Sequence, residues 1–553
     1  MSNKKQLQKL ELTWIGKGEE PKLEPRILIE NPEYSYGDPN SPNMLIHGDN
    51  LLALKALEQD YAGKVKCIYI DPPYNTGQAF EHYDDGVEHS IWLNLMSYRL
   101  KLLYKLLTKD GVIFINLDEV EHAYCKIICD EIFGRNNYIG DLIWQKRKGG
   151  GNDSRYFAID HDYVLVYAKF KDKAIHTEKW KVSQSEEYLK RYKEIDENGF
   201  RYYWDTLARN GLQNPIPVEI ECPDGFILKI NSQKSIDTIN EGLKEGNIRL
   251  IEGRNGWTLH HRVYMPSGQV LRSILNDVGT NKVAGDEIKS LFGSAKSFDY
   301  PKPEGLISKI LELTTNEGDL VLDSFLGSGT TAAVAHKMGR RYIGVELGEH
   351  AKTHCVPRLK AVVDGEQGGI SKAVNWQGGG GFKFYTLAPS LLKQDKFGNW
   401  VISQEYNADM LAAAMAKQEG FKYQPDENIY WKQGQSAEQD FIFTTTQFLT
   451  VEALDSIKDE MQPGETLLIC CKSFQKECKG KFGNITIKKI PLMLLGRCEY
   501  GKEDYSLNII NMPTSEQDSE DFQDGQDLED VSVQELADKS VKSKKTNNPS
   551  LFD

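Results

Sequence analysis

The sequence predicts an α/β fold in which a mostly parallel sheet is interrupted by an inserted domain, resumed, and followed by a smaller C-terminal α/β domain. Three observations predict it. Apolar strand-like runs alternate with helical periodicity over residues 44–143, the alternation fades over 144–286, and it returns over 287–364.

Residues 1–43 mix charge with Pro, Gly, Asn and Ser and read as an arm, with order beginning near Met44. MLIH then reads as a short buried strand, NLLALKALEQD as a helix, and KVKCIYI as a strand stopped by Pro72 and Pro73. The run SIWLNLMSYRLKLLYKLL carries helical spacing, Gly111 breaks it, VIFIN is a strand, and EVEHAYCKIICDEIF is a helix. Residues 144–286 are rich in Gly, aromatic and charged residues with short strand-like pieces such as DYVLVYAKF, and read as the insertion. Alternation resumes with GLISKILELTT (helix), DLVLDSF (strand), TTAAVAHKM (helix), RYIGVEL (strand) and a helix from about Glu349. Residues 365–512, with a glycine run at 378–381 and the segments ETLLICCKSF and NITIKKIPLMLL, form the C-terminal domain, and 513–553 a disordered acidic tail.

Composition bounds the function classes. A chain of 553 residues suits two or three domains. No apolar run nears the roughly 18 residues of a membrane span, and MSNKKQLQKLELTW lacks a secretory h-region, so a cytoplasmic protein without a membrane role is expected. The nine cysteines show no C-x-x-C pair or zinc-finger spacing, and His47, His122 and His336 have no evident metal partners, so no metal is expected. A net charge of -14 is unfavourable for a nucleic-acid binder, but ten acidic residues with no basic one fall within 516–538. The rest of the chain can carry basic faces.

Two motifs carry chemistry. The first is Asp71-Pro72-Pro73-Tyr74, placed where a buried strand opens at the sheet's carboxyl edge. A nucleobase amine is a poor nucleophile because its lone pair is delocalised into the ring. Asp71 and the Pro72 carbonyl can accept its N–H groups as the nitrogen pyramidalises, and Tyr74 offers a face on which an extruded base stacks. A rigid turn with a capping aspartate is the structural alternative. The second motif is DSFLGSGTT, again strand, glycine turn and helix, in which Gly327 and Gly329 admit close ligand approach and the helix start offers amides to a carboxylate. Glu346, ending the next strand, is placed for ribose hydroxyls. The turn lacks the third glycine of a dinucleotide fingerprint and the lysine of a phosphate loop, which argues against a dehydrogenase or an NTPase.

In the order of these blocks, with a variable region between them, residues Met44 to Lys360 resemble the beta group of DNA amino-methyltransferases, particularly the modification subunits of type III restriction systems. The resemblance implies a circularly permuted, Rossmann-like fold dependent on S-adenosylmethionine, with a target-recognition domain inserted at 144–286. It implies catalysis by Asp71, Pro72 and Tyr74, and cofactor binding by Asp323, Phe325, Gly327, Ser328, Gly329, Thr330 and Glu346. Lys302 and Pro303, in FDYPKPEGLI, resemble the block that completes the methionine pocket. The implied reaction is methylation of adenine N6 in double-stranded DNA by base flipping. Adenine is favoured because related cytosine enzymes usually carry Ser at the place of Asp71. Implied partners are a second copy of the chain and a separate restriction subunit with helicase and nuclease functions. A solitary enzyme, DNA cytosine-N4 or RNA methylation, and a DNA-reading subunit with incidental catalysis are the alternatives.

Other features stay open at the sequence level. Asp49 suits either a cofactor neighbour or a helix cap. Lys146, Arg147, Lys148 and Arg155 suit a phosphate-tracking loop or a solvated one, while Arg201, Tyr202, Tyr203, Trp204 and Arg209 suit a DNA contact or a small core. NPSLF, near the end of the tail, has a likeness to terminal peptides that bind the replication sliding clamp, which chance also explains.

Overall fold

A computed structural model describes residues 11–73, 85–149, 156–175, 180–184, 186–207 and 211–505. Tyr74, Arg155, Arg209 and the tail with its NPSLF peptide lie outside the described residues.

The first strand, β1 (Leu28–Glu30), belongs to the segment expected as an arm, and β2 (Met44–His47) follows. Helix α1 (Asn50–Tyr61) starts where it does because the Asp49 carboxylate accepts the Leu52 N–H at 2.9 Å, so Asp49 is the helix cap. Then come β3 (Val65–Ile70), α2 (Asp85–Leu106), β4 (Leu107–Leu117), α3 (His122–Cys129), β5 (Tyr138–Gln145) and β6 (His161–Ala168). The insertion supplies β7 (Arg201–Thr206), β8 (Ile216–Glu221), β9 (Ile227–Ser232), α4 (Ile236–Lys244), β10 (Ile248–Gly253) and β11 (Gly256–Tyr264). After α5 (Asn281–Phe292) the core resumes with α6 (Glu304–Thr314), β12 (Leu320–Asp323), α7 (Thr330–Lys337), β13 (Arg341–Glu346) and α8 (Val356–Val363). The C-terminal part holds β14 (Gly381–Leu387), α9 (Ala408–Gln418), β15 (Asp440–Leu449), α10 (Val451–Glu460), β16 (Thr466–Phe474) and β17 (Ile485–Lys489).

The main sheet runs β1-β14-β2-β13-β12-β3-β4-β6-β5. From β14 through β4 neighbouring strands are parallel, and β6 is antiparallel to β4 and β5. Successive residues of the central strands enter opposite cores. Leu45, Cys67, Tyr69, Val321 and Tyr342 pack with α6, α7 and α8, whereas Ile46, Ile68, Ile70, Leu322 and Ile343 pack with α1, α2 and α3. Coverage on both faces explains why these strands read as unbroken apolar runs.

Three boundaries differ from the sequence reading. DYVLVYAKF, read as part of the insertion, contributes β6 to the main sheet, because buried Val164 to Ala168 are shared between both cores. The small sheet of the insertion is β10-β11-β7 with a short edge strand, and hairpin β8-β9 and α4 share its core of Val218, Ile220, Leu228, Ile239, Ile248 and Leu259. The arm is ordered well before Met44. β1 pairs with β14, and Glu24 and Arg26 are buried together, a polar anchorage that hydrophobic periodicity does not report. Finally, β14 lies beside β2 in the main sheet, so the separate C-terminal sheet begins later, around parallel β15-β16-β17.

Candidate active site

The chain leaves β12 through α7 toward β13 on one side, and leaves β3 through α2 toward β4 on the other. The sheet therefore reverses its winding between β12 and β3, and open α/β sheets bind ligands in the crevice outside such a reversal. The two strands are hydrogen-bonded neighbours in parallel register, Val321 opposite Cys67 and Leu322 opposite Ile68. Asp71 follows β3, Asp323 ends β12, and Glu346 ends β13. Both motifs thus open on one edge.

Asp71 is held from two directions. Lys302 Nζ lies 2.5 Å from its Oδ2, and Asn116 Nδ2, from β4, donates to its Oδ1 at 3.3 Å. Asn116 also stands 3.5 Å from the carboxylate of Asp162, whose other oxygen pairs with Lys146 at 2.7 Å. Trp92 Nε1 donates to the Pro73 carbonyl at 2.9 Å, which pins the backbone just after buried Pro72. Lys302, expected with the cofactor block, is placed on Asp71, and Pro303 caps α6 behind it.

The glycine turn is built around Asp323. Its carboxylate accepts the Thr331 hydroxyl at 2.6 Å and the Phe325 N–H at 2.9 Å. Burial pushes its pKa up to about 7, the two hydrogen bonds oppose that, and the nearby charges of Asp71 and Glu346 add to it. Gly327 and Gly329 take φ of +56° and +85°, a left-handed backbone that side chains resist. Glu346 accepts the N–H of Gly327 at 2.7 Å and of Gly348 at 2.9 Å, and burial raises its pKa. Phe325 is half-buried, whereas Ser328 and Thr330 are buried and meet Arg358, whose guanidinium donates to Thr330 Oγ1 at 2.8 Å.

Arg358 belongs to a charged layer that sequence reasoning missed. Glu304, at the start of α6, binds Arg358 at 3.0 Å, Lys337 at 2.8 Å and the Ile370 N–H at 3.0 Å. Asn50 is a second omission, with its amide donating to the Ser324 carbonyl at 2.7 Å and buried Arg99 donating to its side-chain oxygen. These residues come from five distant segments, and no local pattern marks them. Asp49, besides capping α1, faces Arg99 at 3.4 Å, so it sits in this support layer.

Around the insertion, Lys146 is tied to Asp162, the Arg147 guanidinium donates to the Ile159 carbonyl, and Lys148 donates to the Asn276 carbonyl at 2.9 Å. Tyr202 and Trp204 lie on the sheet face opposite Leu259, where Arg249 stacks over Trp204 at 4.0 Å and Arg262 over Tyr202 at 4.8 Å. Tyr203 takes the other face, and Arg201 is exposed. No helix among the described residues is long and apolar enough to cross a membrane.

The chain is similar to known proteins in sequence. A family model described as DNA methylase matches residues 65–356, more than half of the chain. The HindVI Mod subunit of a type III restriction-modification enzyme from Haemophilus influenzae is 36% identical over 417 residues, which cover 65% of this chain and 56% of that protein. The StyLTI Mod subunit of Salmonella typhimurium is 33% identical, covering 56% and 51%, and the EcoP15I Mod subunit of Escherichia coli is 28% identical, covering 70% and 72%. The chain thus spans about half the length of the first two relatives. Among solved structures, TTHA0409 of Thermus thermophilus, in complex with S-adenosyl-L-methionine, matches at 15% identity and a TM-score of 0.33, covering 62% of this chain and 99% of that one.

Proposed function

Since the chain belongs to the DNA methylase family, we propose that it transfers a methyl group from S-adenosylmethionine to the N6 amine of an adenine flipped out of duplex DNA. We further propose that it is the modification and recognition subunit of a type III restriction-modification system. The observation that carries this reading is the adjacency of parallel β3 and β12, whose carboxyl ends lead into Asp71 and the glycine turn on one sheet edge. Its strand order, with the cofactor strand late in sequence but central in the sheet, is consistent with the permuted arrangement.

The residues present suit the cofactor. Gly327 and Gly329 leave the turn without side chains where backbone must approach a ligand, Glu346 is placed for ribose hydroxyls, and the start of α7 faces the same edge. The buried Ser324 hydroxyl also has no hydrogen-bond partner among the described residues. When bound, S-adenosylmethionine supplies the electrophilic methyl group. The chain's own part is orientation: Asp71 accepts one N–H of the amine, the Pro72 carbonyl accepts the other, and Tyr74 stacks on the base. Both acceptors favour the positive charge that develops on nitrogen, so catalysis is positioning and polarisation without a covalent enzyme intermediate. The relatives named as type III Mod subunits support a separate restriction subunit as partner, and a homodimer in the cytoplasm is the assembly we propose.

The test is methyl incorporation into genomic DNA from a host lacking the gene, with the modified base read by single-molecule sequencing. N6-methyladenine at a defined site is expected from the wild type, and its loss with retained cofactor binding is expected from Asp71→Ala. Methyl groups on cytosine, or none at all, refute the reading.

A further inference from the structure

The group that grips Asp71 comes from a segment whose likeness had pointed to the cofactor. Lys302 is 8% exposed, and its ammonium reaches Asp71 Oδ2 while the opposite oxygen receives the Asn116 amide. We propose that Lys302 is a positioning residue for the base rather than a cofactor ligand, orienting the Asp71 carboxylate together with Asn116 toward the target amine. This rests on the methyltransferase reading above.

An ionised carboxylate offers about four acceptor sites. Lys302 engages one oxygen and the Asn116 amide the other, which fixes the carboxylate plane. The root of Lys302 is stiff. Pro301 and Pro303 flank it with constrained φ, and Glu304, the next residue but one, is locked by Lys337 and Arg358. Its ammonium also lies 5.9 Å from the Trp144 ring, and the Trp144 indole is itself anchored to the Gly279 carbonyl at 2.8 Å. The clamp has an electrostatic reason as well. Burial and the combined negative charge of Asp71, Asp323 and Asp162 push the Tyr69 hydroxyl pKa well up, which marks three carboxylates around one buried ring. Lys302 balances Asp71 as Lys146 balances Asp162. Without the ammonium, like-charge repulsion turns Asp71 away from the base. A displacement of about 1 Å at a reacting group costs on the order of 100-fold in rate.

The experiment compares wild type, Lys302→Met, Lys302→Arg, Asp71→Asn and the Asp71→Asn/Lys302→Met double variant. It measures single-turnover methyl transfer to unmethylated genomic DNA, S-adenosylmethionine affinity by calorimetry, and folding by thermal melting. Lys302→Met is expected to slow transfer about 10- to 100-fold while cofactor affinity stays within about twofold, with Lys302→Arg retaining more activity. The double variant is expected to be no slower than Asp71→Asn alone, because residues acting through one group are not additive. Cofactor affinity falling in step with rate, or a fully additive double variant, overturns the clamp. A wild type that methylates no adenine refutes the methyltransferase reading, and the clamp with it.

Discussion

Replacing Glu304 by Gln tests the charged layer beneath the glycine turn. The Glu304 side chain is 3% exposed, and its cationic partners Lys337 and Arg358 are 0% and 1% exposed. The substitution leaves Lys337 with Glu366, which is 17% exposed, and leaves Arg358 with the neutral oxygens of Ser328 and Thr330 and the nearby acid Glu287. Removing one partner of a buried ion pair typically costs about 3–5 kcal/mol, because the desolvated charge left behind is uncompensated. Lys337 keeps an anion, so the cost falls mainly on Arg358. We therefore expect Glu304→Gln to lose about 3–5 kcal/mol in urea unfolding at pH 7, with weaker S-adenosylmethionine binding because Arg358 supports Ser328 and Thr330. The pH dependence has a defined sign. Burial opposes the charged form of Glu304, but Arg358 and Lys337 outweigh it and hold the pKa below 4.5. Its contribution is full above the unfolded value and lost as pH falls through the folded one, so the gap between variant and wild type closes below pH 4.5. A loss under about 1 kcal/mol at pH 7, no more than an exposed pair would give, refutes the argument.

Asp323 carries the opposite sign. Its pKa rises from 3.8 to about 7 on folding, so between those values the folded chain retains a proton that the unfolded chain has lost, and stability falls as pH rises. Asp323→Asn should flatten that slope and stabilise the protein at pH 8 by up to about 4 kcal/mol, and an unchanged slope in urea unfolding between pH 4 and 8 contradicts it. Gly327→Ala meets two penalties, a left-handed φ of +56° and a new Cβ 3.2 Å from Phe298 Cζ. The strain of about 1–2 kcal/mol corresponds to about tenfold in cofactor affinity if the turn relaxes to escape it, so wild-type affinity by calorimetry argues against a binding role for this turn.

Much of the core is legible in the sequence because its strands lie buried on both faces. KVKCIYI, DLVLDSF and RYIGVEL form strands where their apolar runs place them, and each ends at a residue whose chemistry is visible, Asp71, Asp323 and Glu346. DYVLVYAKF is recognisable as a strand, but its sheet is not, since an apolar run records burial without recording the neighbour that provides it. The arm escapes detection for a related reason: Glu24 and Arg26 are held by charge and hydrogen bonds, which leave no periodic trace.

By itself the sequence determined the local elements, the motifs that close two of the strands, and the chemical character of the groups there, because these depend on residue type and short-range spacing. Tertiary structure alone decided that β3 and β12 lie side by side, that Lys302 meets Asp71 across 231 positions, and that Arg358 and Glu304 brace the glycine turn from beneath. Those contacts are set by sheet order and by the balancing of buried charge, which act between segments far apart in the chain.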